Sequence, residues 1–380
     1  MKDLSESRVL IVDDVKANVD ALVEALRDHY KLSVALDGAS ALRSVERNPP
    51  DLVLLDIMMP PGIDGYEVCR RVRANAATTD IPIMFLSALE EVRDKTRGFE
   101  AGGNDYLTKP FEMLEVKARV HSLLKAKAYA DAVREAMARD LRIAREIQMG
   151  ILPADLPAAT RGTRLEVDAV IEPARHVGGD LYEVLRAADD RVVVALGDVS
   201  GKGIPAAMFM AVAVTVLRTL ARTIADPDEI LRRLNDELAE QNPRGMFVTI
   251  QCLVFDLANG QVTVAGAGHH QLAILSPGRP PRLAFPSSGR PAGLMPVNPI
   301  ERESMALSQG DTFVLFSDGV SEAMNAADDF FGEERLLAHL AALPAPGPTD
   351  IVRSTLEAVR AFAAGAPQSD DISILAARYR

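Results

Sequence analysis

Cysteine is scarce in this chain. Cys69 and Cys252 are the only two in 380 residues, and neither sits in a Cys-x-x-Cys or Cys/His spacing. That excludes a disulfide framework and leaves no zinc-ligand pattern. Both lie in apolar stretches and read as small core residues. Positive charge is also lacking. The net charge of -12 argues against nonspecific nucleic-acid binding, which needs a basic face. The longest apolar run, 206–217, is broken by Thr215, is too short to span a bilayer and reads as a buried helix. The first ten residues contain no apolar signal core. The expectation is a soluble cytoplasmic protein with no partner among nucleic acids or membranes.

The content that remains is ordinary for globular protein, at 48% hydrophobic and 25% charged residues, and its length suits two domains plus a connector. Five short apolar runs, at 8–12, 32–35, 51–55, 81–86 and 104–107, alternate with helix-period segments at 16–28, 39–47, 65–74, 90–101 and 112–125. This pattern predicts a doubly wound five-stranded parallel sheet covered on both faces, hence strands without polar alternation. Residues 112–151 contain no proline, and no glycine before Gly150; Val133, Met137, Leu141, Ala144, Ile147 and Ile151 follow a helical period. A long signalling helix is predicted there, able to pair with its copy in a homodimer. Beyond Pro153 and Pro157, strand-like runs appear at 165–171, 192–196, 247–255, 261–265, 272–275, 312–316 and 372–376, with helical patterns at 204–222, 227–241, 332–342 and 348–364. The turn DLANG (256–260) marks a hairpin. A mixed α+β domain with mostly antiparallel pairing follows. The resulting division is 1–125, a helical linker at 126–155, and 156–380.

Functional side chains gather at strand ends. Asp13 and Asp14 follow the first apolar run, Asp56 ends the third, Ser87 the fourth, and Lys109 follows the fifth. In a doubly wound sheet the carboxyl ends of the strands line the ligand crevice, so these scattered residues converge. Three carboxylates together need a cation; Mg²⁺ suits oxygen ligands, and a carboxylate held there can attack phosphorus. Lys109 can neutralise an acyl phosphate, and Pro110 is expected in the cis form.

The segments LIVDD (10–14), LLDIMMP (54–60), FLSA (85–88) and YLTKPF (106–111) resemble the receiver domain of two-component response regulators. The resemblance implies Asp56 as the phosphorylation site, with a histidine kinase or phosphotransfer protein as donor. It implies Asp13, Asp14, Asp56 and the Met58 carbonyl as Mg²⁺ ligands, and Ser87, Tyr106 and Lys109 as switch residues. One departure is the loop MMPPGIDG (58–65), one residue longer than the common pattern.

The second half carries VGGDLY (177–182), LGDVSGKG (196–203), FSDGV (316–320) and QSDDIS (368–373), each setting a carboxylate against an apolar strand. Buried acids need neutralisation, and an aspartate-rich, histidine-free set favours Mg²⁺ or Mn²⁺ over zinc. A pair of such ions can activate water for in-line attack on phosphorus. In this order, and with AREIQMGILP (144–153), FVTI (247–250) and GAGHH (266–270), the motifs resemble PPM/PP2C-type Ser/Thr phosphatases, closest to the sporulation and stress-response branch. That resemblance implies two antiparallel sheets flanked by helices. It implies two Mn²⁺ or Mg²⁺ ions held by Asp180, Asp198 (bridging), the Val199 carbonyl, Asp318 and Asp370, with Asp371 as a further candidate. It also implies a phosphoserine or phosphothreonine protein substrate, in this branch an anti-sigma-factor antagonist. Glu183 stands where aspartate is frequent, and Lys202 where histidine is common.

Other outputs weigh less. Gly-Gly-Asp also occurs in diguanylate cyclases, but that is one tripeptide against four ordered motifs. A non-catalytic phospho-dependent scaffold would not need all four acids, and no helix-turn-helix pattern points to DNA. The expected device is phosphorylation of Asp56 shifting the receiver, with the helix at 112–151 moving the strands near Asp180 or changing dimer geometry.

Overall fold

The computed structural model describes residues 3–87, 97–187, 190–240 and 242–380. Two compact units, Met1–Arg139 and Asp140–Arg380, divide the chain, with the boundary inside a single helix, Met113–Ile151.

In the first unit, strands β1 (Arg8–Val12), β2 (Lys31–Ala35), β3 (Leu52–Asp56), β4 (Ile83–Ser87) and β5 (Asp105–Thr108) form a parallel sheet in the order β2-β1-β3-β4-β5. Alternate side chains serve opposite cores. Leu10, Val12, Val53, Leu55, Ile83 and Phe85 face one cluster, and Val9, Ile11, Leu52, Leu54, Met84 and Leu86 face the other. Both faces are dry, which is why the strands read as unbroken apolar runs. Helices Lys16–Leu26, Gly38–Arg47 and Gly65–Ala74 lie where the sequence predicts them. Of the helix expected at 90–101, residues 90–96 lie outside the described residues and 97–100 are helical. Val116, Val120 and Leu124 of the long helix pack on the second core.

The second unit is a sandwich of two antiparallel sheets. One holds β7 (Leu181–Arg186), β8 (Arg191–Val199), β9 (Val248–Asp256), β10 (Gln261–Ala267) and β13 (Arg302–Ala306) in the order β13-β10-β9-β8-β7. The other holds β6 (Leu165–Glu172), β11 (Leu272–Leu275), β12 (Arg282–Ala284), β14 (Thr312–Phe316) and β15 (Ile372–Tyr379) in the order β12-β11-β14-β15-β6. Alternation again divides the work. Phe313, Leu315, Leu375 and Ala377 join Val194, Leu196, Leu253 and Phe255 between the sheets. Val314, Phe316, Ile374 and Ala376 face helices Gly332–Ala342 and Pro348–Ala363. Helix Ile204–Ala221 is long and apolar enough to cross a membrane by length and composition alone. Here Met210, Ala213, Val214 and Leu217 are buried against the first of these sheets, beside Ile230 and Leu234 of helix Pro227–Glu240.

Three strands escape the sequence reading: β7, β12 and β13. The last two sit at sheet edges, and Arg302 and Glu303 on β13 have the charged, exposed character of an edge strand. Phe255 and Phe313 meet edge-to-face at 5.4 Å between centroids, one ring from each sheet. Truncating Phe313→Ala is expected to destabilise the sandwich by about 3–5 kcal/mol. Chemical denaturation of the full chain, followed by circular dichroism, measures this; a loss below about 1 kcal/mol would contradict the packing described.

Candidate functional site

The first site forms at the carboxyl edge of the parallel sheet. Carboxylate oxygens of Asp13, Asp14 and Asp56 all lie within 4.8 Å of one another, the one such group found among the described residues. Asp13 and Asp56 are buried, whereas Asp14 is exposed. Asp13 is held by Asn18, whose Nδ2 donates at 3.1 Å, and by the Val15 N–H at 2.9 Å. Lys109 closes the group, its Nζ 2.7 Å from Asp13 and 2.9 Å from Asp56. Burial pushes the Asp56 carboxyl above its usual range, Lys109 opposes that, and Asp13 adds to it. Burial would lower the Lys109 ammonium, but its bonds to Asp13 and Asp56 outweigh this and hold it above the ordinary lysine value. The Lys109–Pro110 peptide is cis, and the Lys109 N–H donates to the Ser87 carbonyl at 2.6 Å. Ser87 is buried at the end of β4. Tyr106 tilts against Phe85, and its buried hydroxyl has no hydrogen-bond partner among the described residues. The Met58 side chain points to solvent, which leaves only its backbone as a candidate ligand.

The second site lies where both sheets of the sandwich end. Asp180 immediately precedes β7, and Asp198 is the penultimate residue of β8; Leu181 pairs with Gly197 and Asp198 with Thr249. In the other sheet Asp318 follows β14 and Asp370 precedes β15, strands paired through Phe316 and Ile374. Asp198 therefore feels Asp180, Asp318 and Asp370 together. These acids are spread more widely than the receiver trio, as two ions roughly 4 Å apart would require.

The electrostatics are unfavourable without a cation. Burial, then repulsion by Asp198, drives the Asp180 carboxyl well above its usual range. Asp198 is pushed up to about 7 by burial and then by Asp318. Asp318 is raised by burial and then by Asp370. Asp180 Oδ1 and Asp318 Oδ1 are buried with no hydrogen-bond partner among the described residues. An orphaned carboxylate oxygen is costly, and two at one site fit a divalent ion. Glycine keeps the space open: a Cβ at Gly179 would stand 2.7 Å from the Val199 carbonyl and 3.2 Å from Asp198 Oδ1. The donor set is all oxygen, which suits Mg²⁺ or Mn²⁺.

Several further residues support the site. Asp371, a candidate ligand, is committed to the loop before β7: its two oxygens accept from Ala174 N–H at 2.8 Å and Gly179 N–H at 2.7 Å. Gln148 is buried at the end of the long helix. It grips Gly178 from both sides, donating to its carbonyl at 2.6 Å and accepting from its N–H at 3.2 Å. Arg218 joins the Ile151 carbonyl, at 2.6 Å, to Glu183 on β7, at 2.7 Å. His269 is buried, and its imidazole is lowered to about 3 by burial and by His270, so it is neutral. Its Nε2 donates to the Phe316 carbonyl at 3.1 Å, which leaves Nδ1 to accept from Thr249 at 2.9 Å. It ties the strand carrying Thr249 to the turn before Asp318. The only advance signal for Gln148 was a polar residue beside the apolar positions of a helix.

Two family models match the chain: stage II sporulation protein E over residues 188–380, and the response regulator receiver domain over 9–121. Response regulator PleD of Caulobacter vibrioides is 41% identical over 138 residues, covering 36% of this chain and 30% of PleD. Protein IcfG of Synechocystis is 29% identical over 276 residues, covering 65% of this chain and 43% of IcfG. The chain thus spans less than half of either relative. Among solved structures, the SiaA-PP2C domain of Pseudomonas aeruginosa superposes with a TM-score of 0.59 at 23% identity, covering 66% of this chain and 99% of that domain. The RsbU and RsbW domains of a Mycobacterium tuberculosis protein give 0.50 at 24%, covering 57% and 60%. These two likenesses establish the fold.

Any ion binding at the acid cluster is expected to depend on pH. Asp198 changes from an ordinary 3.8 to about 7, so the stability it contributes is present below its unfolded value and is lost as pH rises through about 7. His269 runs the opposite way, contributing above 6.5 and losing this as pH falls toward 3, with or without an ion. The ion-specific difference therefore isolates the acids. The gain in melting temperature on adding Mn²⁺ to chelator-treated protein is expected to be larger at about pH 8 than at about pH 5.5. A gain independent of pH would contradict the cluster described.

Proposed function

Because the chain belongs to the stage II sporulation protein E family and carries a response regulator receiver domain ahead of the matched region, we propose that it is a response regulator whose output is metal-dependent dephosphorylation of a partner protein. The observation that carries the output is the pair of orphaned buried carboxylate oxygens, on Asp180 and Asp318, at the convergent ends of two sheets. In this reading residues 1–125 accept the phosphoryl group, 126–155 transmit and 156–380 hydrolyse.

Asp180, Asp198, Asp318 and Asp370, with the Val199 carbonyl, would hold two Mn²⁺ or Mg²⁺ ions, and Asp13, Asp14, Asp56 and the Met58 carbonyl one Mg²⁺. When bound, the pair supplies Lewis-acid activation of water and neutralises charge at the transferred phosphoryl group. The chain's own part is positioning. Asp371 fixes the loop that ends at Asp180, His269 fixes the turn at Asp318, and Gly179 leaves room beside Asp198. The substrate is a phosphoserine or phosphothreonine protein, in keeping with the sporulation and stress-response branch an anti-sigma-factor antagonist. In the receiver, Asp56 is the acceptor from a histidine kinase or phosphotransfer protein, beside Ser87, Tyr106 and Lys109. Asp56 is the nucleophile and Lys109 meets the incoming charge. An acidic chain with two free thiols suits the cytoplasm and makes nucleic acid a poor partner.

Gln148 gives the coupling a physical route: the end of the long helix grips the residue two before Asp180. Tyr129, Val133, Met137 and Ile147 are exposed on that helix, which supports pairing with a second copy.

Manganese-dependent release of phosphate from candidate phosphoproteins tests the output. Asp198→Asn should reduce the rate by more than the roughly 10- to 100-fold that loss of an outer-shell partner costs; near-normal turnover by this variant would overturn the assignment. Beryllofluoride at Asp56 should change the wild-type rate or the sedimentation coefficient. Gln148→Leu, which strands the buried Gly178 amide and carbonyl at about 1–3 kcal/mol, should abolish the rate response. An intact response in that variant would exclude Gln148 as the route.

A further inference from the structure

The loop between β8 and helix Ile204–Ala221 sets Lys202 between two glycines in the left-handed region, Gly201 at φ 87° and Gly203 at φ 76°. No atom lies within 4 Å of where a Cβ would stand on either, so the backbone conformation itself, not close packing, calls for glycine there. The arch brings Lys202 to the segment before β15. Its Nζ stands 2.9 Å from Asp370 Oδ2 and donates to the Ser369 carbonyl at 2.6 Å. The pair is partly open, with side chains 42% and 33% exposed, whereas Asp180 is buried. Lys202 is thus a cation supplied by the chain itself to one acid of the cage. Asp180 Oδ1 and Asp318 Oδ1, in contrast, have no hydrogen-bond partner among the described residues.

An ammonium and a divalent ion compete for the same carboxylate. We propose that Lys202 is a resident counter-ion that a divalent ion must displace from Asp370, so that this lysine sets the affinity of the ion bound on the Asp318–Asp370 side. Among the described residues no lysine or arginine forms a salt bridge with Asp180 or Asp198, so the ion on that side meets no such competitor and binds first. The proposal deepens the metal-dependent reading and rests on it.

The test is a Mn²⁺ titration of the chelator-treated full chain, with Asp14→Asn in every sample to disable the separate ion site at Asp13, Asp14 and Asp56, free Mn²⁺ read by electron paramagnetic resonance and no turnover required. Lys202→Met keeps the alkyl stem and removes the competitor. The weaker class of sites should tighten by about two- to fivefold, the range a partly exposed ion pair is worth, while the stronger class stays unchanged. Lys202→Arg should keep the wild-type isotherm, and Lys202→Gln should follow Lys202→Met, which serves if the methionine variant folds poorly. Arg175→Met controls for charge acting through space, since Arg175 is an exposed cation on the loop before β7. A Lys202→Met isotherm superimposed on the wild type, or equal tightening in Arg175→Met, would overturn the proposal while leaving the metal-dependent reading intact. Absence of saturable uptake by the wild type, or uptake indifferent to Asp198→Asn, would remove that reading and the proposal together.

Discussion

Mutual repulsion among buried carboxylates is the constraint around which the second unit is organised. Asp180, Asp198, Asp318 and Asp370 come from four strand ends in two sheets; Asp198 raises the proton affinity of Asp180, Asp318 and Asp370 raise that of Asp198, and Asp370 raises that of Asp318. Such an arrangement is unstable as a set of four anions, and it persists only because the sandwich core and the hydrogen-bonded loops over-determine it. The ordinary remedy, an embedded arginine or lysine for each acid, is used elsewhere in the same unit: Glu183 is buried and paired with Arg218. Among the described residues no such partner meets the buried Oδ1 of Asp180 or of Asp318, which leaves the set short of positive charge.

The receiver resolves the same problem differently. Its three acids share a built-in lysine, Lys109, which touches both buried members. A permanent internal cation suits a site whose task is to take a phosphoryl group and respond to its charge. An incompletely compensated cage suits one that activates water on bound ions. The two sites thus use one principle, carboxylates gathered at strand ends, with different amounts of internal neutralisation. Between them, the carboxyl end of the long helix is tied by Gln148 and Arg218 to the loop and strand on either side of Asp180. The loop before Asp180 and the strand after it are therefore hydrogen-bonded to the end of that helix.

Much of this was legible in the sequence because strands buried on both faces announce themselves. Leu52 to Leu55 and Thr312 to Phe316 are unbroken apolar runs, since alternate side chains enter different cores. The acids were legible because glycine and aspartate punctuate those runs. β7 was not, because its centre carries Glu183, whose partner Arg218 lies 35 residues away on a helix. The charged edge strand β13 gave no apolar alternation to detect. The neighbours Asp370 and Asp371 could not be told apart from adjacency alone. Position by position along an extended chain the side chains point opposite ways, and only the fold reveals that Asp371 turns toward the Ala174 and Gly179 amides. Gln148 acts through a contact distant in sequence, for which a single chain offers no signal, whereas His269 belongs to the GAGHH motif already visible in the chain.

The most direct test of the account is an anomalous difference map from crystals of the full chain soaked in Mn²⁺. The account predicts two peaks within the cage, each within about 2.0–2.3 Å of carboxylate oxygens drawn from Asp180, Asp198, Asp318 and Asp370. A map with no peak there, and with these acids turned away from one another toward solvent or toward basic side chains, would contradict it.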